Sequence, residues 1–368
     1  MATLCFLLFT LAFFPTTRAG DLGLSVCQDM WNRAVNTLKI PSELEVASTG
    51  STEPLFDVKS PGGTAKITEP VFVKMAELLD TYFNSPGDTS QKATEFINTV
   101  TIPGSAIEIA FKYLQNNGIV DKSKKLDDFK KILEHVWFDE YKKPGSGKKH
   151  SGFEHVFVGD LEKKQFKGFH NWYQFLLEQQ GGHISSVNNA TFNGSTQPAF
   201  MSGLRFTWRK ATKKAASSLF VGTSPAFDLA VFTVCFLQFK DKPCNCSIGR
   251  STITIQTYAA KPSPASIATA YPAKVEMPPG RCSIHPDKGC GWNGIDQQHC
   301  NDRGCCWLPK APTNWCFYPK DHKCYGIPPS KRQDCGYVGI KRPECENKND
   351  CCFDDSTPGV PVCYKGNP

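Results

Sequence analysis

Beyond its first twenty residues, this 368-residue chain has no apolar run long enough to cross a bilayer, which takes about 20 residues. A helical membrane span in the later sequence is therefore excluded. The apolar run near the start, Leu4–Phe14, is itself too short, and Thr17 and Ala19 put small residues at −3 and −1 of a cleavage point after Ala19. Residues 1–19 read as a signal peptide, although no Lys or Arg precedes the apolar stretch. A strong excess of one charge is also missing. The net charge is +7, and residues 282–368 hold 11 Lys+Arg against 10 Asp+Glu, so +6 belongs to residues 1–281. That is compatible with a polyanionic partner but does not by itself indicate one.

What is abundant is cysteine. Of 17 Cys, Cys5 lies in the signal segment, leaving an even 16 for an oxidising compartment. Twelve of these fall between Cys282 and Cys363, so the chain changes character near residue 280. Before that point it is long enough to bury a core; after it, disulfides must stand in for one. The earlier four are Cys27, Cys235, Cys244 and Cys246, with three possible pairings, of which Cys244 with Cys246 is disfavoured by proximity. No His stands at ligand spacing from them, which argues against zinc. Sequons at Asn189, Asn193 and Asn245 are glycosylation candidates in a secreted chain, the first two in a Gly/Asn/Ser/Thr-rich stretch that reads as an exposed loop.

Helical spacing marks LSVCQDMWNRAVNTLK, EPVFVKMAELLDTYF, SAIEIAFKYLQNNG and KKLDDFKKILEHVWF in the first third. From Phe153 the pattern alternates. FEHVFVGDL, LRFTW, SLFVG, STITIQTY and SIATAY read as strands, with helices in GFHNWYQFLLEQQGG and TSPAFDLAVFTVCF. A helical N-terminal part followed by mixed helix and antiparallel sheet predicts an α+β domain over 20–271. Pro272–Arg281 reads as a linker.

The blocks SGFEHVFVGD, GFHNWYQF, SSLFVGTSPAFDLAVFTVCF, TIQTY and IATAY occur in the order seen in poly(U)-specific endoribonucleases, and the chain resembles that EndoU family from about Leu24 to Tyr271. The chemistry fits. RNA carries its own nucleophile, the 2′-OH, so a base, an acid and a cation suffice for cleavage. The resemblance implies His155 and His170 as acid–base pair and Lys214 as cation, since the family's uracil-contacting Ser follows that Lys by four residues, as Ser218 does here; Lys213 is the competitor. Base choice is assigned to Ser218 and Tyr258, with Thr257 as supporting hydroxyl. Glu154 matches a family carboxylate; as a strand residue it would point away from His155 and so support the site rather than move protons. Some family members need Mn²⁺ or Ca²⁺, and Asp160, where close relatives have Glu, is the weak candidate ligand. Arg209, Lys210 and Lys213 read as a solvated basic loop drawing in RNA by charge, and His135, His150 and His183 as surface residues.

The Cys-rich end resembles two trefoil (P-type) modules, 282–319 and 320–368, carrying RGCCW and NWCFYP, then RQDCGYVGI and NDCCFDD. The family pairing implies Cys282–Cys306, Cys290–Cys305 and Cys300–Cys316, then Cys324–Cys352, Cys335–Cys351 and Cys345–Cys363. Some trefoils bind glycans through an Asp before the second Cys and a Trp before the last. Here these are divided, with Gly289 and Trp315 in the first copy and Asp334 and Val362 in the second, beside Tyr337. Mucin-type glycans are thus one expected partner and single-stranded RNA the other. The leading expectation is a secreted uridylate-specific endoribonuclease leaving 2′,3′-cyclic phosphate. The alternative is a catalytically silent secreted protein of mucus or cell surface on the same scaffold.

Overall fold

The computed structural model describes residues 20–48, 50, 54–142, 148–194, 196–213, 216–249, 251–276, 289–290, 295, 300, 303–307, 316–319, 322–348, 351–355 and 357–367. Residues 1–19, expected as a signal peptide, lie outside them.

The fold is α+β, as the patterning predicts. The four periodic segments form helices Leu24–Asn32, Pro70–Thr81, Ala106–Asn116 and Leu126–Phe138. Two more helices, Gly62–Ile67 and Thr89–Val100, escaped the periodicity reading. In the second, a polar sequence buries only Ala93, Phe96, Ile97 and Val100, a stripe too narrow to stand out. Pro225–Phe239 is apolar on nearly every face and runs through the middle of the body, its Thr233 hydroxyl accepting a 2.8 Å bond from Trp137 Nε1.

Two sheets pack on this helix layer. One runs in the order Gly20–Asp21, Pro243–Ile248, Ser251–Ala259, Ile267–Glu276, antiparallel except for its first pair. The other is built on the long strand Ala199–Trp208, flanked by Ser217–Val221 and Ala211–Lys213 and continued by Gln165–Lys167 and Asp160–Glu162. One continuous apolar cluster joins both sheets and the helices. Cys27–Cys246 and Cys235–Cys244 tie one face of the first sheet to the helices Leu24–Asn32 and Pro225–Phe239.

Three sequence readings need correction. Residues expected as a strand from Phe153 are helical: Glu154–Val158 form a π-helical turn, closed by Gly159 N donating to Glu154 O at 2.7 Å. Phe153 and Phe157 stack at 4.9 Å, an i,i+4 contact only a helical turn makes. Apolar alternation misleads here because Phe153, Val156, Phe157 and Val158 are all buried, on several faces at once. The linker starts later than expected, since Pro272–Glu276 belong to the strand Ile267–Glu276 and pair with Thr252–Ile255. Pro272 is tolerated because this is an edge strand and the register slips beside it. His150, expected on the surface, is 2% exposed, folded inward by the short hairpin that pairs it with Tyr141.

In the trefoil region five of the six implied bridges are present: Cys290–Cys305, Cys300–Cys316, Cys324–Cys352, Cys335–Cys351 and Cys345–Cys363. Cys282 and Trp315 lie outside the described residues. Bidentate Arg303–Glu346 contacts join one module to the other, and Arg303 Nε donates to Cys290 O at 2.7 Å. Asp334 accepts from its own turn at Gly336 N, and Val362 packs inward against the second module's cluster.

Candidate active site

The site forms where the π-helical turn meets the loop before helix Trp172–Gln180. Phe169 N donates to His155 O at 2.9 Å and His170 N to Val156 O at 2.7 Å, so the two segments are laced backbone to backbone. Gly168 makes this possible: its φ is +67°, and a Cβ there would lie 1.8 Å from His155 O. Ser217 Oγ donates to Phe169 O at 2.7 Å and fixes the loop from the sheet side. His170 lies two residues before the helix rather than within it, and Asn171 caps that helix by accepting from Gln174 N at 2.9 Å.

The result is a pair of imidazoles with ring centroids 6.5 Å apart. Each is oriented through Nδ1. His170 Nδ1 lies 2.9 Å from Ser218 O, and because a carbonyl only accepts, Nδ1 carries the proton. His155 Nδ1 lies 2.5 Å from Oδ2 of Asp160, whose carboxylate is fully buried. In both rings the exchangeable lone pair is thereby placed on Nε2, the arrangement an acid–base histidine needs.

Tyr271, which sequence reasoning does not single out, borders the histidine pair. Its ring stacks on His170 at 5.0 Å and 21°, and its hydroxyl lies close to that of Tyr258. Burial, and then this neighbouring hydroxyl, push Tyr271 above the ordinary phenol value. The block IATAY contained the signal, since Tyr271 and Tyr258 share one face of paired antiparallel strands. Tyr258 is 44% exposed, whereas Thr257 points to the opposite face and is fully buried among core residues. Ser218 is half-buried, and its carbonyl is the part that meets His170.

Lys214 lies outside the described residues; of its competitor Lys213 only the strand backbone is described. Arg209 is no solvated basic residue, since its guanidinium grips Glu178 at 2.7 and 2.9 Å and sits 4.0 Å over the Phe83 ring. With Lys210 it forms a two-residue positive-φ turn. Glu154 does not lie across a sheet from His155: its Oε2 is 3.5 Å from His150 Nδ1, which is 3.3 Å from Asp160 Oδ1. His150, Glu154 and Asp160 each offer a ligand atom within 4.8 Å of the others. Two carboxylates and an imidazole suit Mn²⁺ better than the all-oxygen shell Ca²⁺ prefers. Of the sequons, Asn189 sits in an exposed turn and Asn193 in the strand Thr191–Asn193. Asn245 is held in the sheet, accepting from Thr254 Oγ1, beside the bridged Cys246.

Residues 24–272 match the profile of the endoribonuclease XendoU family, and 282–319 and 324–366 match the trefoil (P-type) domain. The chain belongs to the XendoU family. Within that family it is 30% identical to uridylate-specific endoribonuclease B of Danio rerio over 70% of this chain and 98% of the relative. It is 28% identical to poly(U)-specific endoribonuclease-B of Xenopus laevis, over 67% and 91%. It spans 54% of the longer uridylate-specific endoribonuclease of Paralichthys olivaceus. Among solved structures, the snoRNA-processing endoribonuclease XendoU superposes with a TM-score of 0.56 at 24% identity, covering 68% of this chain and 95% of that one. Sharing that fold, this XendoU-family chain adds two trefoil modules after its last sheet strand.

Proposed function

We propose that this protein is a secreted endoribonuclease that cuts single-stranded RNA at uridylates by attack of the 2′-OH, leaving a 2′,3′-cyclic phosphate. The observation that carries the reading is the His155–His170 pair, 6.5 Å apart and each oriented through Nδ1. That spacing lets one Nε2 take the 2′ proton while the other delivers a proton to the leaving 5′ oxygen across the phosphate between them. Lys214 supplies the cation for the phosphorane charge. Tyr258, with Tyr271 beneath it, offers an aromatic face for the base, and Ser218 a hydroxyl for its edge. Where a divalent ion is required, His150, Glu154 and Asp160 would hold Mn²⁺ and brace the His155 side of the site. Export through the 1–19 segment fits the disulfides, and the trefoils would carry the enzyme to mucin-type glycans. A silent scaffold would have no need of two histidines locked in one tautomer.

The test is incubation of the purified protein with uridine-containing and uridine-free oligoribonucleotides and with the matching DNA. Cleavage only after uridine, a cyclic phosphate at the new 3′ end and intact DNA are expected. No cleavage, with or without Mn²⁺, would favour the silent scaffold.

A further inference from the structure

Asp160 is a carboxylate with no exposure to water, and a buried charge is stable only when its oxygens are paired. One oxygen, Oδ2, receives His155 Nδ1 at 2.5 Å. The other, Oδ1, faces His150 Nδ1 at 3.3 Å, within ion-pair range but without hydrogen-bond geometry. The His150 ring is itself buried and edged by acids, with Glu154 Oε2 3.5 Å from Nδ1 and Glu162 Oε1 3.7 Å from Nε2. Two imidazoles thus flank one carboxylate, His155 bonded to one oxygen and open to the reaction space, His150 packed against the other and sealed behind it.

We propose that His150 is a positioning residue: it fixes the plane of the Asp160 carboxylate, and through it the rotamer and tautomer of His155. The inference rests on His155 being an acid–base group. Its physical content is that a carboxylate bonded through one oxygen alone can rotate about χ2, whereas a buried imidazole packed 3.3 Å from the other oxygen restricts that rotation. His150 does not approach the reaction space, so it changes the rate of the chemical step and leaves substrate binding alone.

Two isosteric substitutions separate the ring nitrogens. His150→Asn puts an amide near the Nδ1 position, facing Asp160; His150→Gln puts one near Nε2, facing Glu162. With uridine-containing oligonucleotide, His150→Ala and His150→Gln should lower kcat on the order of ten- to a hundredfold, as for other partners that orient a working histidine, with KM unchanged. His150→Asn should recover most of that loss. In an Asp160→Asn background, His150→Ala should cost no further rate, since the two act through one contact. Each assay is run with chelator and with added Mn²⁺.

The function itself is read separately, from wild-type cleavage and its loss in His155→Ala. The positioning role is overturned by equal kcat in the Asn and Gln variants, by a loss confined to KM, or by additive losses with Asp160→Asn. It is also overturned by loss of the fold in all three His150 variants, which makes the residue structural. Rescue of His150→Ala by raised Mn²⁺ alone makes it a metal ligand instead.

Discussion

At the scale of single residues, the two histidines differ from the other buried polar groups in what their partners leave for chemistry. His170 donates to a main-chain carbonyl, so its tautomer survives any side-chain change at Ser218. His155→Ala and His170→Ala should each lower kcat by about 10²–10⁴-fold, the usual weight of an acid–base group, with circular dichroism unchanged; His155→Ala should also lower the melting temperature, because it strips the buried Asp160 of its bonded partner. A variant that cleaves at the wild-type rate would remove that histidine from the mechanism. Asp228 behaves differently. It is fully buried in the first turn of Pro225–Phe239, and burial pushes its carboxyl up to about 8, against opposing contacts from Thr223 and Asn171. The folded state therefore holds a proton that the unfolded chain releases near pH 4. Between those values the folded state binds more protons, so this residue's contribution falls as pH rises, by about 1.4 kcal/mol per pH unit at most. Asp228→Asn removes the titration. The gap between wild-type and variant unfolding free energies should shift in the variant's favour from pH 5 to pH 8, and a pH-independent gap would show that Asp228 ionises normally.

At the scale of elements, the site depends on the lacing of a π-helical turn to a loop, and Gly168 is its tightest point. Any Cβ there meets main-chain oxygen of His155 at 1.8 Å in a backbone conformation that L residues avoid. A neighbouring carbonyl cannot swing aside as a side chain can. Gly168→Ala should therefore push the two segments apart and lower kcat more than a hundredfold, with melting temperature reduced; wild-type activity would show that the loop has slack. The same elements show what was legible beforehand. His155, His170, Ser218 and Tyr258 could be nominated because each sits in a block of residues recognisable by type and order. The turn that presents His155 was read as a strand because a nearly all-buried segment has no period to read. His150 reads as a surface residue from the sequence because its burial comes from a hairpin pairing with Tyr141, a contact that spacing along the chain does not encode. Tyr271 needed the register of two strands to bring it onto His170 and Tyr258. Cys27–Cys246, closing 219 residues, likewise became visible only once the sheet placed both ends together.

At the scale of the whole molecule, the division of labour follows from where the chain keeps its core. All described residues of the proposed site lie before Pro272, in a body with one continuous apolar cluster, whereas the buried groups of the trefoil region are largely bridged cysteines. Gly304 of the first trefoil borders a cavity of about 510 Å³ with Trp31, Lys39 and Gln197, residues outside the histidine pair and its partners. The cut point matters: ending the chain at Tyr271 strips Pro272–Glu276 from an edge strand, so that Thr252–Ile255 lose one of their two ladders, but ending it at Glu276 leaves the sheet whole. The chain ending at Glu276 should cleave a short uridine-containing oligonucleotide at the full-length rate, and the one ending at Tyr271 should be less stable. Reductant should separate the two halves further. The trefoils, with little core, should unfold. The body loses roughly 5 kcal/mol of chain-entropy stabilisation with Cys27–Cys246 and about 2–3 kcal/mol with Cys235–Cys244, yet keeps its apolar cluster and should still fold at moderate temperature. Loss of oligonucleotide cleavage in a folded chain ending at Glu276 would mean that the trefoils touch substrate or brace the histidines. Loss of mucin binding alone, with cleavage intact, would make them targeting modules despite the separation of Asp334 from Trp315.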